Sequence, residues 1–171
     1  MDVNVIDDFL PQKDFEEVRD LMVFNDTFPW YFQKEVNSMG TNCDKDFWNW
    51  YGTHTFYVND FPESKNYPIL YNKFIPCFKE MGIFRSLIRI KGNFYPYTET
   101  LKEHAPHYDY RFSHVGALYS LNTCDGFTRL CDGTKIDSVA NRILIFDSST
   151  SHNSSTTTTS AGRFNINFNF L

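Results

Sequence analysis

The chain has 171 residues, enough for one domain that buries its own core without staples. Its formal charge of −5 excludes the bulk basicity that drives non-specific nucleic-acid binding and leaves room only for a local basic patch. Aromatic residues make up 18 % (18 Phe, 10 Tyr, 3 Trp), which favours strands and bulky packing over a helical bundle.

The opening, Met1-Asp2-Val3-Asn4, has neither the basic nor the apolar region of a signal peptide. The longest clean apolar run, Ile143-Leu144-Ile145-Phe146, is far too short to cross a bilayer, so no membrane partner and a cytoplasmic location are expected. Cysteines at 43, 77, 124 and 131 form no CxxC pair and are expected as reduced thiols. Pro11 opens a predicted helix over 11–23, whose apolar stripe is Phe15, Val18, Leu21 and Met22. Two aromatic clusters follow, Trp30-Tyr31-Phe32 and Phe47-Trp48-Asn49-Trp50-Tyr51. They read as packing between the N-terminal region and the rest, with a stacking platform as the alternative. A short strand is predicted over 54–58, with His54 half-buried. A second helix is predicted over 67–81, with Tyr71, Phe74, Ile75, Phe78 and Met81 on one face. Pro76 is expected to kink or split it, and Gly82 to stop it.

Beyond Gly82 the pattern changes to strand-like runs at 83–95, 114–121, 127–131, 134–139, 142–146 and 163–170. Asp132-Gly133 is a hairpin signal between two of them. The polar stretch 97–106 is either a lid or an ordinary surface loop. The Ser/Thr run at 154–160 reads as a hairpin arm. The expected fold is mostly β with N-terminal helices, a sandwich or barrel with helices packed on one outer face. One domain is expected, with helical support over about 1–82 and a β core over about 83–171.

Of the five histidines, only His107 stands two residues before an acid, Asp109. In an extended segment residues i and i+2 share a face, so an imidazole and a carboxylate there can reach one ion. His152 follows the apolar strand at 142–146. Two histidines and one carboxylate leave three positions open on an ion, which suits ferrous iron holding a co-substrate and dioxygen together. Arg163, eleven residues after His152, opens an alternating strand with Arg163, Asn165, Asn167 and Asn169 on one face and Phe164, Ile166, Phe168 and Phe170 on the other. If the polar face looks inward, the guanidinium needs an anionic partner such as a dicarboxylate; the alternative is an edge strand with a solvated face. Asn93 and Tyr95 also share a face and can both donate to a carboxylate or keto oxygen. His104 reads as a solvated loop residue, His114 as packing or surface, Arg111 as a surface ion pair, and Cys124 and Cys131 as inert.

His107-x-Asp109, His152 and Arg163 together resemble the signature of the 2-oxoglutarate- and Fe(II)-dependent oxygenases. The tail from Ala140 through His152 to Arg163-Phe164-Asn165 resembles small prolyl-hydroxylase-like members found in phages, which would place the protein in a host cytoplasm. The opening Ile6-Asp7-Asp8-Phe9-Leu10-Pro11 is similar to the first element of many such chains. The resemblance implies a double-stranded β-helix (jelly-roll, cupin-like) core. It implies His107, Asp109 and His152 as metal ligands, and Arg163 and Tyr95 on the distal carboxylate of 2-oxoglutarate. Asn93-x-Tyr95 and Arg163-x-Asn165 also resemble motifs of the nucleic-acid-demethylating branch, which makes Asn93 and Asn165 further co-substrate candidates. Many members carry Arg-x-Ser where this chain has Asn165, and prolyl hydroxylases proper usually carry Lys at the Arg163 position. The implied reaction is hydroxylation of an aliphatic C–H in a peptidyl side chain such as proline, or in a small metabolite. Oxidative demethylation of nucleic acid is the second reading, and a non-catalytic jelly-roll binding module the third.

Overall fold

A computed structural model describes residues 2–36 and 48–171; Cys43 and Phe47 lie outside the described residues. The helices are α1 (Gln12–Met22) and α2 (Tyr67–Glu80). The strands are β1 (Asn4–Ile6), β2 (Tyr31–Gln33), β3 (Tyr51–Val58), β4 (Phe61–Pro62), β5 (Leu87–Pro96), β6 (Val115–Ser120), β7 (Phe127–Leu130), β8 (Lys135–Asp137), β9 (Ile143–Asp147), β10 (His152–Ser154) and β11 (Gly162–Phe170). A large antiparallel sheet runs β1-β9-β6-β11-β5-β3-β2, with β4 also on β3. A small sheet runs β10-β7-β8.

The alternation of β11 sets the layers. Phe168 and Phe170 point to the helices, with ring centroids 4.5 Å from Phe74 and 4.8 Å from Phe78 respectively. Phe15, Val18 and Met22 of α1 join the same core with Ile90, Tyr119, Ile143 and Ile166. The opposite face of the large sheet meets the small one: Leu130 of β7 packs with Leu144 and Phe146 of β9. The polar face of β11 is therefore inside. Arg163, Asn165, Asn167 and Asn169 are all buried, which decides against the solvated edge strand.

Several expectations need correction. The helix α2 runs through Pro76 without a break. Pro76 sits on the exposed side, while Phe74, Ile75 and Phe78 are fully buried, so tertiary packing outweighs the lost backbone bond. Gly82 does end the helix, at φ +72°, where the Ile83 N–H donates to the Phe78 carbonyl at 3.2 Å. Residues before 82 are more than helical support, since β1 pairs with β9 and β3 with β5. The strand expected from 83 starts at Leu87, because the Arg85 and Ser86 N–H groups donate to the Leu171 carbonyl instead. The 154–160 run is not a hairpin arm. It leaves strand after Ser154 and wraps Asp125, which accepts from the Thr157, Thr158 and Thr159 hydroxyls. The hairpin at Asp132-Gly133 forms as expected, with Gly133 at φ +88°. Cys77, Cys124 and Cys131 are free thiols. No helix among the described residues is long and apolar enough to cross a membrane.

Candidate metal centre

Residues 107 and 152 face one another across an antiparallel bridge. The His107 N–H donates to the His152 carbonyl at 2.9 Å, and the His152 N–H returns to the His107 carbonyl at 3.0 Å. The bridge brings the imidazole centroids to 4.6 Å. Asp109, two residues on, lies on the same side, and one donor atom from each of the three residues falls within 4.8 Å of the others. His152 Nδ1 lies 3.0 Å from the Thr150 carbonyl. A carbonyl only accepts, so Nδ1 carries the proton and Nε2 keeps its lone pair. His107 Nδ1 is buried with no hydrogen-bond partner. Burial, then the neighbouring His152, pushes the His107 pKa down to about 4, which keeps the ring neutral and able to ligate.

Asp109 is heavily engaged. Arg89 Nη2 donates to Oδ1 at 2.8 Å. Ser148 Oγ donates to Oδ2 at 2.6 Å, and Asn167 and Asn169 Nδ2 each donate at 2.9 Å. Burial alone would raise this carboxyl; the Arg89 guanidinium, His152 and these donors outweigh it and hold the group ionised far below the usual range. Ser148 reaches in because residue 116 is glycine: a Cβ there would stand 2.5 Å from Ser148 Cβ.

Arg163 opens the far end of the same face. It is 1 % exposed. Its Nη2 donates to Thr128 Oγ1 at 2.8 Å, its guanidinium lies 5.5 Å from the Tyr95 ring centroid, and Nε has no partner. No carboxylate pairs with it among the described residues, and a buried guanidinium without a counter-charge is costly. Gly126 makes space for it, since a Cβ there would stand 2.7 Å from Arg163 Cδ. Across the β5–β11 register Tyr95 faces Arg163 and Asn93 faces Asn165. Asn93 Nδ2 donates to Asn165 Oδ1 at 2.9 Å, which leaves Asn93 Oδ1 and Asn165 Nδ2 unpartnered. The cavity lined by the Asn93–Asn165 pair is also lined by Tyr95, His107, Asp109 and His152. Six of the seven residues singled out in the sequence thus line one cavity, and the seventh, Arg163, lies behind it against Thr128 and Tyr95.

His104 departs from its expected solvated setting. It is 2 % exposed, with Nδ1 2.9 Å from Ser154 Oγ, Nε2 without a partner, and its ring 5.1 Å from Tyr95 and 5.5 Å from Trp48. Burial, then the Arg163 charge, lowers its pKa to about 3. Pro106 suggests a loop, and a loop it is, but the segment is pinned against the floor of the cleft. The Thr98 N–H donates to the Thr157 carbonyl, and the His104 N–H to that of Ser154. Residues 97–106 are hydrogen-bonded along the 154–157 segment, and none of them lines the cavity. His54 is buried, bonded to the Pro29 carbonyl and Ser64 Oγ, and His114 is bonded to the Phe112 carbonyl. Trp30 packs on Phe94 and Phe164 as expected, whereas Tyr31 and Phe32 are exposed.

Sequence reasoning placed Asn167 and Asn169 on the Arg163 face without giving them a role, and it missed Arg89, Lys91, Ser148 and Thr128. Extending the Asn93/Tyr95 alternation backwards along β5 reaches Lys91 and Arg89, and extending the Arg163 alternation forwards along β11 reaches both asparagines. Nothing local marks Ser148 or Thr128.

No family model matches the chain, and no curated protein matches its sequence. Solved structures do match its fold. A prolyl hydroxylase from Trichoplax adhaerens, in complex with a hypoxia inducible factor oxygen degradation domain peptide, superposes with a TM-score of 0.68 at 15 % identity, covering 98 % of this chain and 83 % of that one. A prolyl-4-hydroxylase from Pseudomonas putida gives 0.63 at 13 % identity, covering 98 % and 91 %. A non-heme α-ketoglutarate-dependent carbocyclase of nogalamycin biosynthesis gives 0.66 at 10 % identity, covering 98 % and 78 %. The chain therefore has the jelly-roll fold of the 2-oxoglutarate/Fe(II) oxygenases.

Proposed function

We propose that the protein is an Fe(II)- and 2-oxoglutarate-dependent oxygenase that hydroxylates an aliphatic C–H. The observation that carries this reading is a buried Arg163, without a carboxylate partner among the described residues, held against Tyr95 and Thr128, which line the same cavity as two imidazoles and a carboxylate. The donor set fits the metal: imidazole nitrogen from His107 and His152 and one carboxylate oxygen from Asp109, with open coordination positions remaining. His107, Asp109 and His152 would hold the metal, which with 2-oxoglutarate and dioxygen would supply the oxidising chemistry that turns C–H into C–OH, the co-substrate leaving as succinate and carbon dioxide.

The chain's own residues do the rest. Arg163, steadied by Thr128, takes the distal carboxylate of the co-substrate together with the Tyr95 hydroxyl. The unpartnered Asn93 Oδ1 and Asn165 Nδ2 offer one acceptor and one donor between that anchor and the metal ligands. The Asp109 donors fix the carboxylate so that its orientation is set before the metal binds. Leu118 and Phe146 line the cleft with apolar surface and exclude water. The substrate is a peptidyl side chain such as proline or a small metabolite. The adjacency of Asn93-x-Tyr95 and Arg163-x-Asn165 across β5 and β11 keeps oxidative demethylation of nucleic acid as a second reading.

The test is spectroscopic. Anaerobic addition of Fe(II) and 2-oxoglutarate should produce a weak visible charge-transfer band that is absent from His107→Ala. Arg163→Ala should weaken co-substrate binding by about tenfold or more, as expected for loss of charge-assisted hydrogen bonds. A wild-type protein that yields no band, and no succinate in air, overturns the proposal. Single-stranded DNA binding that weakens steeply with salt would favour the second reading.

A further inference from the structure

Lys91 is the one cation of the cleft that the reading above leaves without work. It lines the same cavity as His107 and Asp109, yet it makes no side-chain hydrogen bond and no ion pair among the described residues. The contact its ammonium does make is with the Tyr51 ring, 5.7 Å from the centroid. Asp109 is the only carboxylate lining the cavity among the described residues. Its oxygens already accept from Arg89, Ser148, Asn167 and Asn169.

A charge count shows what is missing. Asp109 and Arg89 cancel, and a divalent metal cancels a dianionic co-substrate. Arg163 and Lys91 remain, so the loaded cleft is still cationic. A partly buried ammonium in that setting lacks a counter-ion that water supplies poorly.

Position separates Lys91 from the co-substrate anchor. In the β5–β11 register Arg163 pairs with Tyr95, whereas Lys91 pairs with Asn167, four residues further along. At 3.2–3.4 Å per residue that is roughly 13 Å. On its other side β5 pairs with β3, where Thr55 is opposite Lys91. The ammonium leans over Tyr51, a β3 residue on the side of β5 away from β11; the Tyr51 ring stacks in turn on Tyr95 at 5.9 Å, and Tyr95 on the Arg163 guanidinium.

We infer that Lys91 anchors a carboxylate of the primary substrate, so that the substrate is a small carboxylate-bearing molecule such as a free amino acid. The inference rests on the oxygenase reading and narrows its substrate class. A single ammonium bordered by Tyr51 and Thr55 matches a monoanion; a proline inside a peptide carries no charge to offer it.

The experiment uses full-length protein loaded anaerobically with Fe(II) and 2-oxoglutarate. The charge-transfer band is titrated with a panel of free aliphatic amino acids and short monocarboxylates, each beside its amide, together with a capped proline peptide and single-stranded DNA. At least one carboxylate should shift the band, and its amide should bind at least tenfold more weakly. Lys91→Met should lose at least tenfold in carboxylate affinity while holding 2-oxoglutarate within twofold of wild type; Lys91→Arg should recover most of the loss. Thermal unfolding guards against misfolding, since Lys91→Met removes an unpaired charge and should melt no lower than wild type. A normal band that no carboxylate shifts, a response only to the peptide or the DNA, or a Lys91→Met defect in 2-oxoglutarate binding overturns the inference alone. Absence of the band from the wild type overturns the oxygenase reading and this inference with it.

Discussion

Asp109 shows how one side chain is prepared for its task by others far away in the chain. Three donors saturate Oδ2, while Oδ1 accepts only from Arg89 and so keeps an open lone pair. Arg89 stands in the charge balance where a metal would otherwise be needed. Removing it as Arg89→Met should destabilise the metal-free protein by about 3 kcal/mol, because a buried carboxylate loses its counter-ion. Saturating Zn(II) or Co(II) should recover much of that loss through ligand linkage. Thermal melts of wild type and variant, with and without metal, measure both effects; equal losses in the two conditions would show that Arg89 is not tied to the metal centre. At this scale legibility followed local pattern. His107-x-Asp109 and the alternation at Arg163 were readable because period two puts their partners on one face. Arg89, 20 residues from Asp109, carries no such mark. His104 misled because a neighbouring proline predicts a loop correctly and says nothing about the depth at which the loop lies.

Elements were legible where they were long. The helix stripes and the alternation of β11 span several periods, so α1, α2 and β11 emerge with nearly their observed limits. The strands β1 and β2 have three residues each, too few for a period to register. Local backbone chemistry predicts a kink or a split at Pro76; the helix is not split because its neighbours are held by the large sheet. The helix therefore carries an avoidable cost on its exposed side. Pro76→Ala should raise stability by about 1 kcal/mol or more, since alanine restores an N–H and removes the ring clash. Urea unfolding followed by circular dichroism tests this, and a lower midpoint would mean that the proline is instead limiting the unfolded chain.

The molecule as a whole is a stack: helices, large sheet, cleft, small sheet. Its interior holds imidazoles that must stay neutral, and this has a consequence for acid stability. His104 has a folded pKa of about 3 against an unfolded value of 6.5. Above 6.5 neither state binds the proton and the contribution is complete. As pH falls below 6.5 the unfolded chain protonates first, so stability drains until the folded ring also titrates near 3. The limiting slope is about 1.4 kcal/mol per pH unit for one proton. In chemical denaturation between pH 7 and 4, His104→Asn should show a visibly flatter loss than wild type, whatever its plateau stability. Parallel profiles would assign the acid sensitivity to other groups.

The two-faced character of β11 makes assembly of the pocket all-or-none. Since every second side chain belongs to the core and every other to the cleft, a slip of a single position against β5 would drive four asparagine-or-arginine heads into the helices and turn the phenylalanine rings onto His107, Asp109 and His152. No partial error leaves a weakened but intact cleft. Insertions or deletions within 162–170 should abolish folding and metal uptake together, whereas loops elsewhere tolerate length changes.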